Sequence, residues 1–306
     1  MASLDPRIHT SFAHLKQLQG KAKSIRFLGR QQAKSILSGR HASRIRGRGL
    51  SFEELRDYRA GDDIRTIDWR VTARTGKPHI RVYTEEKDKA AILIVDQRLS
   101  MFFGSVHNMK SVTASEIASL IAYSLFAQGD RIGGVLFNDH TVANFKPSKQ
   151  PASLEYFIKQ ISAFNCLLHA DQINKNPAMH LNQPLKAANR LVSHDQLIFV
   201  ISDFSEVDDQ THQYLAQMAR HNTVILCLIT DSLTQTLPKN VSINVSDGIS
   251  QMQLNTHNKK VHRELISTFT KRVEQIKGWQ SESNLTVIPF CASEDTFEQL
   301  KAALGT

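Results

Sequence analysis

The chain has 306 residues, 41% of them hydrophobic, enough for one large core with an appendage or for two modest ones. No apolar run approaches the ~20 residues that cross a bilayer, and the opening MASLDPRIHTSF has no apolar centre of the signal-peptide kind, so composition points to a soluble cytoplasmic protein without a membrane span. The net charge of +9 is concentrated at one end: residues 1–48 hold eleven Lys and Arg against the single acid Asp5, leaving 27 basic and 28 acidic residues for the rest. Cys166, Cys227 and Cys291 are far apart and odd in number, which suggests neither a disulfide framework nor a zinc knuckle.

In chain order, residues 1–46 read as a basic helical arm. Phe12, Leu15, Leu18, Ile25, Leu28 and Ile36 lie near helical spacing, with Gly20 and Gly29 as interruptions. Its basic face could meet nucleic acid, anionic lipid or an acidic protein, or could simply pack on the body of the molecule. On charge alone, removing residues 1–40 should leave the rest folded.

Residues 47–88 form a second piece. Here Arg56, Arg59, Arg65, Arg70, Arg74 and Arg81 alternate with Asp57, Asp62, Asp63 and Asp68 around Phe52, Tyr58 and Trp69. Guanidinium groups beside carboxylates form planar, often bidentate pairs that fix a backbone. The segment therefore reads as a salt-bridged recognition surface carried by Arg56, Tyr58, Arg59, Asp62, Asp63, Arg65, Asp68, Trp69 and Arg74, against the plainer alternative of a solvated charged loop. Arg65 and Asp68 are expected to pair and hold the turn into Trp69. A catalytic role does not suit carboxylates beside so many arginines, because their lowered pKa makes poor general acids.

From residue 89 to 306 strands and helices alternate. Apolar runs at 90–95, Arg131–Phe137, 196–202, Thr223–Thr230 and 285–289 read as strands, and 110–128, 152–164, 183–192, 209–221, 257–277 and 294–303 as helices. Ser246-Asp247-Gly248 between two short strands reads as a hairpin turn. The fold class is α/β: an open, mostly parallel, Rossmann-like sheet with helices on both faces.

The run GRGLSFEELRDYRAGDDIRTIDWRVTAR followed by AAILIVD resembles the bacterial family called domain of unknown function 58 (DUF58), and weaker matches around Lys110-Ser111, Gly129-Asp130-Arg131 and Ile201-Ser202-Asp203-Phe204 extend the likeness over most of residues 40–205. The C-terminal part of that family resembles a von Willebrand factor type A domain, and the family is encoded beside MoxR-type AAA+ ATPases. The resemblance thus implies a fold and a MoxR-type partner, but no reaction.

It also implies a site. Type A domains carry a metal-ion-dependent adhesion site, with Asp-x-Ser-x-Ser on a first loop, a Thr on a middle loop and an Asp on a third, all oxygen ligands suited to Mg²⁺. Here Asp96, Ser100 and Asp203 match, while Arg98 stands for the first Ser and Met179 for the Thr. Arginine has no lone pair for a metal, and a thioether is a poor ligand for Mg²⁺. The reading is a degenerate site for which no cofactor and no metal are expected, in which the Arg98 guanidinium bridges one or both carboxylates in place of the ion. No Walker A motif, G-x-S-x-G elbow or H-E-x-x-H is present. The sequence favours a non-enzymatic interaction or adaptor module acting with the ATPase on an unknown client. The second reading is nucleic-acid or anionic-surface binding through residues 1–48, and the third a metal-dependent hydrolase.

Overall fold

The computed structural model describes residues 5–25, 50–59, 62–85, 89–169, 179–235, 242–246, 251–255, 259–283 and 285–304. The parts of the expected first helix beyond residue 25, and Asp247-Gly248 of the expected turn, lie outside the described residues. The chain divides into two units, residues 1–30 with 89–306, and residues 31–88.

The first unit opens with helix α1 (Phe12–Ala22). It continues with β3 (Ala90–Asp96), α3 (Lys110–Ala127), β4 (Arg131–Phe137), β5 (Val142–Ser148), α4 (Pro151–Cys166), α5 (Asn182–Asn189), β6 (Leu197–Ser202), α6 (Asp209–Ala219) and β7 (Thr223–Thr230). The short α7 (Ser232–Gln235), the ribbon β8 (Ser242–Ser246) and β9 (Gln251–Asn255), then α8 (Lys259–Ser283), β10 (Thr286–Cys291) and α9 (Thr296–Leu304) complete it. The second unit holds β1 (Leu50–Asp57), a 3-10 turn (Ile64–Thr66), α2 (Trp69–Thr75) and β2 (His79–Glu85).

Six strands make the main sheet in the order β10-β7-β6-β3-β4-β5, parallel except for β5, which runs antiparallel to β4. The sequence reading missed β5, because Lys146 and Pro147 break the apolar alternation that would announce a strand. It is tied to β4 by an Asx turn in which Asn138 Oδ1 accepts from the backbone of His140 and Thr141.

β3 shows why its sequence is a continuous apolar run. Ala91, Leu93 and Val95 join one cluster with residues of α1, α3, α4 and α9. Ile92 and Ile94 join the other, with residues of α5, α6 and α8. Period-two side-chain alternation thus feeds two cores, so every position must be apolar. Gly134 is required where β4 crosses Leu93, since a Cβ there would stand 2.0 Å from the Leu93 carbonyl oxygen. Gly129, at φ +87°, closes α3.

The N-terminal helix corrects the expectation of a dispensable arm. Leu15, Leu18, Ala22 and Ile25 are buried in the same cluster as β3 and α3. Polar contacts reinforce this: His14 Nε2 meets Glu116 Oε1 at 2.7 Å, Met109 N donates to Arg7 O, and Thr10 N donates to the buried Asn165 Oδ1. The basic face is outside and the apolar face is core, as helical periodicity allows. Leu15→Ala is accordingly expected to cost about 3 kcal/mol by cavity formation, read as a lower urea midpoint, and deletion of residues 1–25 to abolish cooperative unfolding. An unchanged midpoint for Leu15→Ala would return the helix to the status of an appendage.

Candidate functional site: a closed charge network at the strand ends, and an arginine-rich face

In an open α/β sheet the carboxyl ends of the strands converge on one edge, where sites form. Each of the four inner strands here delivers an aspartate to that edge: Asp96 ends β3, Asp139 follows β4, Asp203 follows β6 and Asp231 follows β7, all buried.

Asp96 is met by Arg98 in a fork. The Arg98 Nη2 donates to Oδ2 at 2.7 Å, Nε to both carboxylate oxygens at 3.1 Å, and the backbone N to Oδ1 at 2.9 Å. Ser202 Oγ donates to Oδ2 at 2.6 Å from the next strand. The side chains of Arg98 and Asp96 are 2% and 0% exposed, so this is a fully interior ion pair. The remaining guanidinium nitrogen, Nη1, donates to the Met179 carbonyl oxygen at 2.9 Å, and the group lies over the Phe137 ring. Burial works against the charged guanidinium, but Asp96, then Asp203 and Asp139, outweigh it and hold it more firmly protonated than usual.

Asp203 has a different cation. Lys110 Nζ, from the first turn of α3, reaches its Oδ2 at 2.5 Å, and Ser205 N donates to Oδ1. Burial alone would raise this carboxyl; the Lys110 and Arg98 charges outweigh that and hold it well below the ordinary 3.8. Phe204 and Glu206, in the same loop, have positive φ of 50° and 57°. Each such residue stores about 1–3 kcal/mol and persists because its surroundings fix it; Phe204 is wholly buried. Asp139 Oδ2 accepts from Leu99 N at 2.7 Å; burial pushes its carboxyl up, against the Leu99 amide and Arg98.

Of the five positions read as a degenerate metal site, the structure brings Asp96, Arg98, Asp203 and the backbone of Met179 into this network and leaves Ser100 exposed. Of the two outcomes open to Arg98, it meets one carboxylate and not both: its carboxylate hydrogen bonds go to Asp96, and Asp203 is served by Lys110. Lys110 and Asp139 were missed as site residues, although both stand beside a strand end or helix start. The donor set does not fit Mg²⁺: the oxygens of Asp96 and Asp203 face guanidinium, ammonium, hydroxyl and amide donors, and Met179 contributes a carbonyl already held by Arg98.

In the second unit, β1 and β2 pair antiparallel with a shift between Phe52 and Glu54. The acids there act locally. Asp62 receives Arg56 in a bidentate pair at 2.8 and 2.9 Å, and also the Arg59 amide. Asp63 caps the 3-10 turn through the Arg65 amide, and the buried Asp68 caps α2 through the amides of Arg70 and Val71. Tyr58 joins the hairpin through its backbone, donating to Pro78 O. The expected Arg65–Asp68 pair is therefore corrected: Arg65 is exposed, and Asp68 accepts from the helix amides of Arg70 and Val71. Trp69, 67% exposed, and Arg59, Arg70 and Arg74 also face solvent. Arg56→Ala should thus cost about 2 kcal/mol by stripping the half-buried Asp62, while Arg65→Ala stays within about 0.5 kcal/mol. Thermal melts of the two variants side by side check this, and equal losses would contradict it.

Three comparisons with known proteins bear on these features. An uncharacterized protein of Mycobacterium bovis and two of Mycobacterium tuberculosis are each 32% identical to this chain over 122 residues, a stretch covering 40% of this chain and 38% of theirs. The matched stretch therefore spans well under half the length of these relatives. A solved structure titled as an aerotolerance-related membrane protein from Bacteroides fragilis aligns with a TM-score of 0.42 at 12% identity, over 70% of this chain and 96% of that one. The expectation of a cytoplasmic protein is withdrawn: this neighbour is described as a membrane protein, and a likeness of this degree assigns the present chain no compartment. Among the described residues no helix is long and apolar enough to cross a membrane. Residues 54–275, spanning both the arginine-rich unit and most of the sheet, match the model of the family described as "Protein of unknown function DUF58", and the chain belongs to that family.

Proposed function

We propose that this chain is a non-enzymatic protein-interaction or adaptor module, built on a von Willebrand factor type A-like sheet with a degenerate metal-ion-dependent adhesion site. It works with a MoxR-type AAA+ ATPase in assembly or remodelling of a client. The observation that carries the reading is the closure of the strand ends: Arg98 on Asp96 and Lys110 on Asp203 satisfy the carboxylates from within. A catalytic carboxylate needs a free lone pair or an available proton, and a metal needs open oxygen ligands; an internally paired network supplies rigidity instead. The ATPase partner comes from the family resemblance.

The test is affinity purification of the full chain from its native cell, with and without ATP. Recovery of an AAA+ ATPase whose yield depends on nucleotide is the expected result. Recovery of nucleic acid, lost steeply between about 50 and 200 mM salt, would favour the competing reading through residues 1–48. That reading starts with fewer free cations than the sequence promised, since Arg7 pairs with Asp5 and Lys16 with Glu155.

A further inference from the structure

The second unit spends its acids and its bases differently. Three of its described aspartates are engaged by local donors: Asp62 clamps Arg56, Asp63 caps the 3-10 turn and Asp68 caps α2, while the exposed Asp57 meets His79. Arg59, Arg65, Arg70 and Arg74 are all exposed, and none has a carboxylate partner among the described residues. Arg70 and Arg74 stand four apart on α2, which places both on one side of that helix. Large apolar side chains share the surface: Trp69 is 67%, Ile64 62% and Leu55 41% exposed. Among the described residues 55–74, four exposed arginines outnumber the exposed acids Asp57 and Asp63, so the exposed side chains are cationic on balance and include large apolar groups.

From this asymmetry we infer that residues 55–74 form the docking face of the module, and that its partner is a protein presenting an acidic surface around an apolar cleft that receives Trp69. The inference rests on the interaction-module reading and adds the chemistry of the partner. Charge complementarity selects an acidic partner, and Trp and Arg are the residues that dominate binding energy at protein interfaces. Ile64 and Leu55 argue for protein over nucleic acid. Nucleic-acid interfaces are predominantly polar, and single-strand binders stack bases on a series of aromatic rings, whereas the exposed aromatic of this face among the described residues is Trp69. The internal clamps give the face its rigidity: the caps and the Arg56–Asp62 fork fix the backbone on which Trp69 and the arginines stand, so little ordering remains to be done on binding.

The experiment uses the full chain in its native cell, with Trp69 replaced by the photo-crosslinking residue p-benzoylphenylalanine and the attachment point mapped by mass spectrometry. The expected result is attachment to an Asp- and Glu-rich segment of another protein, with the yield falling at least about tenfold when Arg65→Glu, Arg70→Glu and Arg74→Glu are combined in the same chain. The three side chains are exposed, and a thermal melt of the combined variant confirms that it folds. Attachment to nucleic acid, to a neutral or basic protein segment or to this chain itself would overturn the inference, as would no attachment or a yield insensitive to the charge reversals. Affinity purification of the same combined variant separates the two levels. If the ATPase still co-purifies, the adaptor reading stands and this face is not its contact. If wild type also retains no protein partner, the reading itself fails.

Discussion

Replacing Arg98 by methionine is expected to lower the stability of the sheet unit by about 3–5 kcal/mol, because it leaves the Asp96 carboxylate buried with the Ser202 hydroxyl and the amide of residue 98 but no cation. Methionine keeps much of the volume, so the loss reports charge and not a cavity. Adding Asp96→Asn removes the stranded charge and should restore most of the loss, since a neutral pair in a buried site is often as stable as the ion pair it replaces. Urea unfolding of wild type and of both variants reads this directly. Equal losses for the single and the double variant would mean that Arg98 acts through packing against Phe137. The same network predicts that Mg²⁺ does not raise the melting temperature of wild type, because a ligand stabilises only where the folded state binds it in preference to the unfolded one. A saturable Mg²⁺ response abolished by Asp203→Ala would displace the internally closed site.

How much of this was legible beforehand depended on distance along the chain. Arg98 stands two residues from Asp96, and its cationic character in place of a ligand could be read from the sequence alone. Lys110 is 93 residues from Asp203, and nothing local announces that the first turn of α3 lies beneath the end of β6. Only the sheet order, with β3 between β6 and β4, brings them together. β3, β6 and β7 were readable because strands buried on both faces must be uniformly apolar. β5 was not, because an edge strand can carry Lys146 and Pro147.

The second unit shows a different limit. Arg65 and Asp68 were matched as partners by spacing, but an Asp directly before a short helical turn is an N-cap before it is a salt-bridge partner. Both Asp63 and Asp68 occupy that position, each with a side chain that accepts from the backbone amide two residues on. Reading them as caps would have released Arg65 and Arg70 to solvent and revealed the cationic face from sequence. Likewise, the basic residues of the first helix suggested a dispensable arm, while Leu15, Leu18 and Ala22 on its other side already marked a buried stripe.

Lys110→Met should reverse the pH dependence contributed by Asp203. In wild type the folded carboxyl lies below its ordinary 3.8, so its contribution to stability is complete above that value and is lost as pH falls through the lower folded one. Without Lys110, burial of this fully enclosed group prevails over the more distant Arg98, and the folded pKa moves above 3.8. The native state then holds a proton that the unfolded chain has released. By linkage, stability must rise as the solution is acidified from about pH 7 towards about pH 4, and level off below. At neutral pH the variant should be about 3–5 kcal/mol less stable than wild type, the cost of an unpaired buried carboxylate. Other groups titrate over the same range, so the reference is Lys110→Met with Asp203→Asn, which lacks the titrating group and shares the rest of the background. Urea midpoints of the single and double variants between about pH 4 and 7 should converge on acidification, the single variant being the weaker at pH 7. Parallel curves would show that Asp203 does not titrate in the folded variant, and that Arg98 alone suffices to hold it ionised.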